Sequence, residues 1–216
     1  MPGDSIVYVD GFNLYYGALK GSPYKWLDLE AYFKRIRPND RIRRIQYFTA
    51  RVKGKSDQAA YLSALSTRPI VHTEFGLFKS KRIQCGVSSC SYTGDRRFPA
   101  FEEKGTDVNI ALRMLDDAYQ QACDQLILVS ADSDLVPALK LIRQRFPQIR
   151  IVVYLPYRDV VLPDGSVKHN PRGAARELRS VAHRCKQLPL AELGKAQFPD
   201  PLPDGKGGFI QKPSSW

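Results

Sequence analysis

The stretch "LILVSADSDLVPALKLI" (126–142) decides the fold. Four apolar residues run into Ser130, Asp132 and Asp134 follow, and an apolar pattern then resumes. The run "QLILVS" has the length and composition of a buried strand. Pro137 is comfortable only in the first turn of a helix, where its missing N–H is not needed. The following helix therefore starts near Asp134 and spans 134–146, with Asp132 in the strand-to-helix turn. A second strand, "SIVYV" (5–9), also ends on a carboxylate, Asp10. If the two strands are sheet neighbours, Asp10, Asp132 and Asp134 meet at their carboxyl ends. Asp107 opens the helix that leads into "LILVS" and joins them. Two carboxylates about 4 Å apart repel by about 4 kcal/mol at an effective dielectric of about 20. Such a group needs protons or a cation, and hard oxygen donors favour Mg²⁺ or Mn²⁺ over zinc. Capping is the competing reading, and for Asp134 or Asp107 taken singly it is the better one. Four aspartates at strand ends and helix starts point instead to a metal site.

The rest of the chain alternates in the same way. Helical patterns are expected over 12–20, 27–36, 56–68, 106–122 and 171–182, and strands over 42–50, 70–76, 149–155 and, at an edge, 183–188. In 106–122 the residues Val108, Ala111, Leu112, Leu115, Ala118, Tyr119 and Ala122 recur at helical spacing as an apolar stripe. Alternating strands and helices imply a mainly parallel sheet between two helical layers, an α/β/α sandwich of Rossmann type with sites beyond the strands' carboxyl ends. The domain is expected to span 1–193. It carries a basic, cysteine-containing insert near 77–98 and a loop insert at 157–173, where "PDGS" signals a turn. Residues 194–216 are rich in Pro and Gly without periodicity, the composition of a flexible tail. There is no internal repeat.

The 216 residues suit one domain with appendages. No run of roughly 18 apolar residues suggests a membrane span. The start "MPGDSIVYVDG" has no signal-peptide pattern, which points to the cytoplasm. The net charge is +11, which favours a polyanionic partner, nucleic acid first. Nine Lys or Arg residues and one acid lie between Lys34 and Lys55. A second patch holds Lys79, Lys81, Arg82, Arg96 and Arg97. Either patch alone is as readily a solvated face. Arg51, Lys53 and Lys55 follow a strand and share the sheet edge of the carboxylates, so they are the first candidates for phosphate contacts, with Lys79, Lys81 and Arg82 next. Lys104 precedes the Asp107 helix and could neutralise a phosphate. Tyr15 or Tyr16 could stack on a base. Cys85 and Cys90 could supply two zinc ligands or a disulfide. Beyond an approach by His72 nothing completes a zinc set, so a plain loop is the better reading.

Three segments, "VYVDGFNLYYG" (7–17), "EEKGTDVNIALRMLDDA" (102–118) and "LVSADSDLVPAL" (128–139), resemble the signature segments of NYN domains. These belong to the PIN-like nuclease superfamily, and the LabA/DUF88-like branch is the nearest match. The resemblance covers about residues 5–188 in the right order. It implies a metal-dependent ribonuclease whose acidic pocket corresponds to Asp10, Asp107, Asp132 and Asp134. Asn13 matches the asparagine of the first motif, able to hold a water or a phosphate oxygen, and Thr106 and Ser130 match supporting positions. RNA, single-stranded or structured, is the implied partner; a homodimer is compatible with the sequence. An aspartyl-phosphate phosphatase is disfavoured, because Phe12 stands where a second Asp would follow Asp10. A response-regulator receiver is disfavoured because Leu155 precedes Pro156 where Lys-Pro is needed. A non-catalytic RNA-binding module, or the same scaffold turned to small-molecule chemistry, remains open. No G-x-G-x-x-G fingerprint supports a dinucleotide.

Overall fold

The computed structural model describes residues 3–52, 54–158, 160–161, 167–168 and 172–216. A six-stranded parallel sheet forms the centre. Its strands in chain order are β1 (Asp4–Asp10), β2 (Arg41–Thr49), β3 (Val71–Phe75), β6 (Gln125–Val129), β7 (Arg150–Leu155) and β10 (Arg184–Gln187). They lie in the order β10-β7-β6-β1-β2-β3. The chain starts at mid-sheet, builds outward through β2 and β3, then returns to the other side of β1. The reversal falls between β1 and β6, and such a switch leaves a crevice at the strands' carboxyl ends.

Strand alternation sends side chains to two separate cores. Val7, Val9, Ile45, Tyr47, Ile127, Val129, Val152 and Tyr154 face one layer. That layer holds α1 (Gly11–Leu14) with a π turn (Tyr15–Leu19), α2 (Leu29–Ile36) and α3 (Ser56–Ser66). Ile6, Tyr8, Phe48, Leu126, Leu128, Ile151, Val153 and Leu155 face the other. There α4 (Thr106–Tyr119), α5 (Val136–Arg145) and α6 (Arg172–Val181) pack. The expected three-layer α/β/α sandwich is thus the observed one. No helix among the described residues is long and apolar enough to cross a membrane.

Two expectations are corrected, and the two basic segments gain a structure. The apolar stripe of 106–122 is only in part the buried face of α4: Ala118 is buried and Ala111 and Leu115 pack against the core. Val108, Leu112 and Tyr119 are exposed, whereas Thr106, Ile110, Met114, Asp117 and Ala118 are buried. Asp117 misleads the pattern because its charge is paired: Tyr8 Oη–H donates to Asp117 Oδ2 at 2.6 Å, and Arg44 bonds the other oxygen. The basic insert is a two-stranded antiparallel arm, β4 (Leu77–Gln84) with β5 (Arg97–Lys104). The basic run 34–55 is mostly consumed in ion pairs, Lys34–Glu30, Arg35–Glu192, Arg37–Asp40, Arg41–Asp4, Arg43–Asp4 and Arg44–Asp117.

The second correction concerns residues 194–216, which are packed rather than loose. A 3₁₀ turn (Leu190–Lys195) leads to a short hairpin, β11 (Leu202–Pro203) with β12 (Phe209–Ile210). Phe198 and Leu202 are buried, and the Trp216 ring lies edge-on to Trp26 at 6.2 Å. In the 157–173 insert, β8 (Val160–Val161) pairs antiparallel with β9 (Val167–Lys168). The expected "PDGS" turn between them lies outside the described residues, as does Lys53.

Candidate active site

Sheet register builds the site. Val9 pairs with Val129, so the next residue on each chain, Asp10 and Ser130, emerge side by side. Both are buried, Asp10 at 2% exposure and Ser130 at 0%. The Ser130 hydroxyl donates to Asp10 Oδ2 at 3.1 Å and accepts the Asp132 N–H at 3.0 Å. Asp10 caps α1 by accepting the Asn13 N–H on Oδ1 at 2.9 Å. The Asn13 side-chain amide donates to Asp10 Oδ2 at 2.6 Å, and its Oδ1 accepts the Ala131 N–H at 3.3 Å. Asn13 is therefore a brace between the two strand ends, more than the local helix-start residue its position alone suggests.

Beyond Ser130 the chain turns as Pro137 demands. A 3₁₀ turn (Ser133–Leu135) precedes α5, with proline in the first turn of that helix. Asp132 is the cap here, accepting the Asp134 N–H at 2.9 Å. Asp134 itself is exposed.

Asp107 comes from the first turn of α4, delivered by the β4–β5 arm. Thr106, buried beside it, donates both its N–H (2.9 Å) and its hydroxyl to Glu103 Oε1. Glu103 is the acidic residue that sequence reasoning missed. It stands three residues before Thr106, a local capping distance that could have flagged it.

The carboxylates feel one another. Asp107 is pushed up to about 6, first by burial and then by the charges of Asp132, Asp10, Glu103 and Asp134. Asp10 is also raised, chiefly by burial, against the lowering effect of its Asn13 and Ser130 hydrogen bonds, with Asp132 adding to the rise. Among the described residues no three potential ligands are close enough to close a cage by themselves.

A carboxyl with a raised pKa holds its proton more tightly in the folded state than in the unfolded one. It therefore costs stability as pH climbs from about 4 to about 6 and above. Asp107 is only half-buried, so solvent screening leaves a penalty of about 1 kcal/mol. In EDTA, Asp107→Asn should raise the urea midpoint at pH 8 and leave it unchanged at pH 4. An equal effect at both pH values would show that the charges do not interact.

Ser130→Ala would leave the Asp132 N–H without its acceptor and strip one donor from Asp10, at a cost of about 1–3 kcal/mol. Urea unfolding of Ser130→Ala beside the parent chain checks this.

The basic candidates divide. Arg51 and Lys55 follow β2 on the same edge as Asp10; the Arg51 guanidinium lies 4.4 Å above the Phe75 ring. Lys79, Lys81 and Arg82 stand exposed on β4, with Arg82 3.6 Å from Asp95. Lys104 is exposed at the end of β5, just before α4. Cys85 and Cys90 belong to the connection at the far end of the arm, away from the aspartates. The Cys85 thiol is lowered, first by the Val87 N–H, then by Arg96 and Cys90.

A parallel α/β/α sandwich with carboxylates gathered at its topological switch defines a class of acidic-site proteins. The chain belongs to the NYN domain family, whose profile matches residues 5–185. That membership places it in a nuclease-like superfamily. It is 30% identical to 6-hydroxy-3-succinoylpyridine 3-monooxygenase HspA of Pseudomonas putida (strain DSM 28022 / S16), over 97% of this chain and 74% of that one. The crystal structure of a protein of unknown function from Vibrio parahaemolyticus RIMD 2210633 is similar with a TM-score of 0.54 and 15% identity, over 87% of this chain and 93% of that one. This last likeness is one of fold. Family and enzyme-named relative together point to catalysis.

Proposed function

We propose that the protein is a metal-dependent ribonuclease, with Asp10, Asp107, Asp132 and Asp134 holding Mg²⁺ or Mn²⁺ at the carboxyl ends of β1 and β6. One observation carries the reading: sheet register sets Asp10 beside the Ser130–Asp132 turn, and Asp107, raised first by burial and then by the charges of Asp132 and Asp10, faces the same centre. The donors are all hard oxygens, which would suit these ions. A divalent ion held there supplies water activation and neutralises charge at phosphorus. Asn13 and Ser130 position Asp10, and Thr106 and Glu103 fix the start of α4. Arg51 and Lys55 offset the repulsion between the carboxylates and an RNA backbone, with the β4 cations Lys79, Lys81 and Arg82 and Lys104 as an outer track.

The test is cleavage of single-stranded and structured RNAs and DNAs with Mn²⁺, Mg²⁺ or EDTA. Metal-dependent cutting of RNA supports the reading. Binding without cutting favours a non-catalytic RNA-binding module.

A second reading is small-molecule chemistry on the same centre. It is favoured by the relative that acts, by its name, on a substituted pyridine. Oxygen-dependent conversion of 6-hydroxy-3-succinoylpyridine, with no action on RNA, would select it.

A further inference from the structure

We propose that the cavity beside the carboxylate centre is a subsite for a planar aromatic ring that carries an anionic group. The cavity has a volume of about 320 Å³, at the lower end of the range of about 300–1,000 Å³ that takes small organic ligands. Its walls are aromatic: Phe12, Tyr15, Tyr16, Tyr47, Tyr61 and Trp216. They come from four distant parts of the chain. The Phe12 and Tyr16 rings lie within 13° of parallel at 6.4 Å, and Tyr15 meets Tyr16 edge-on at 5.2 Å. Tyr16 is 61% exposed. Aromatic faces of this kind stack on any flat π system.

Charge chooses the second half of the ligand. Lys20, Lys25 and Lys55 line the cavity against one acid, Asp57. Asp57 is already engaged, accepting the Ser215 hydroxyl at 2.6 Å. Lys20 Nζ lies 4.9 Å above the Tyr16 ring and Lys25 Nζ 5.4 Å above the Trp216 ring. Lys55 has no ion pair among the described residues.

The cavity lies next to the carboxyl end of β1. Gly11 and Phe12, the residues that follow Asp10, form part of its lining. Its Tyr47 phenol is held protonated by burial first and by the charge of Asp10 second. A ring seated here lies beside the end of β1, and the lysines hold its anion. A nucleotide and a free aromatic acid share this chemistry. What then happens to the bound molecule rests on the reading of the carboxylates as a reacting centre; the binding itself does not.

The experiment is calorimetric titration of the full chain in EDTA, where no metal-dependent turnover occurs. The probes are adenosine 5′-monophosphate and pyridine-3-carboxylate, with adenosine and inorganic phosphate as controls. At least one ring anion should bind at least about tenfold more tightly than either control, and Tyr16→Ala and Lys55→Ala should each weaken it by about tenfold. Preference for the nucleotide marks a nucleic-acid source, and preference for the pyridine acid marks a small-molecule source. The inference is overturned if neither ring anion binds, if adenosine binds equally well, or if both variants bind as the parent does. Ring-anion binding in a protein that cuts no RNA would sink the ribonuclease reading and leave this one standing; RNA cleavage without such binding would do the reverse.

Discussion

Asp10→Asn is expected to lower the proposed metal-dependent RNA cleavage by at least about a hundredfold while keeping the chain folded. The amide keeps an oxygen to accept the Asn13 N–H that caps α1, while its nitrogen replaces the Oδ2 that accepts the Asn13 amide and the Ser130 hydroxyl. What disappears is an ionisable carboxyl at a position only 2% exposed, the place where a cation gains most from it. Charge stabilisation by a metal is worth several kcal/mol at the transition state, and each 1.36 kcal/mol is about tenfold in rate. Asp132→Asn should behave alike, because its backbone N–H still reaches Ser130 and its side chain keeps an oxygen for the Asp134 N–H. Single-turnover cleavage of a labelled RNA in Mn²⁺ measures both variants, with circular dichroism melting as the check on folding. Undiminished cleavage by Asp10→Asn would remove the carboxylates from the mechanism.

Trp26→Ala is expected to cost about 3–5 kcal/mol, the usual range for deleting a fully buried large aromatic. The side chain is 1% exposed. Its ring meets Phe198 edge-on at 5.7 Å and Trp216 at 6.2 Å, and lies tilted against Tyr61 at 6.3 Å. Its indole N–H donates to the Pro199 carbonyl at 3.2 Å. Trp26 therefore seats residues 197–216 on the domain, and its removal should expose that segment to protease at concentrations the parent resists. Urea unfolding and limited proteolysis read the two effects separately. A loss below about 1 kcal/mol would place the C-terminal segment outside the cooperative core.

The two results divide along the line between local and distant information. The parallel sheet, its two helical layers and the meeting of Asp10 with Asp132 were legible in the sequence. Buried strands advertise themselves as apolar runs, and Pro137 marks the helix start through a covalent constraint that no tertiary contact can relax. Asp107 was legible for the same reason, at the head of a helix feeding one of those strands. The β4–β5 arm was not, because most of its described residues are exposed, and a hairpin without a buried face shows no period-two apolar pattern. The face of α4 was misread because burial of Asp117 depends on Tyr8 and Arg44.

The sequence by itself determined the order of strands and helices and the carboxylates at their junctions, since periodicity, turn chemistry and charge are local properties of the chain. Only the tertiary structure decided which cations remain available to a ligand, what the C-terminal residues do, and that Phe12, Tyr47, Tyr61 and Trp216 line one cavity. Each of those depends on side chains far apart in sequence becoming neighbours, and a contact between distant residues leaves no periodic trace in either partner's own segment.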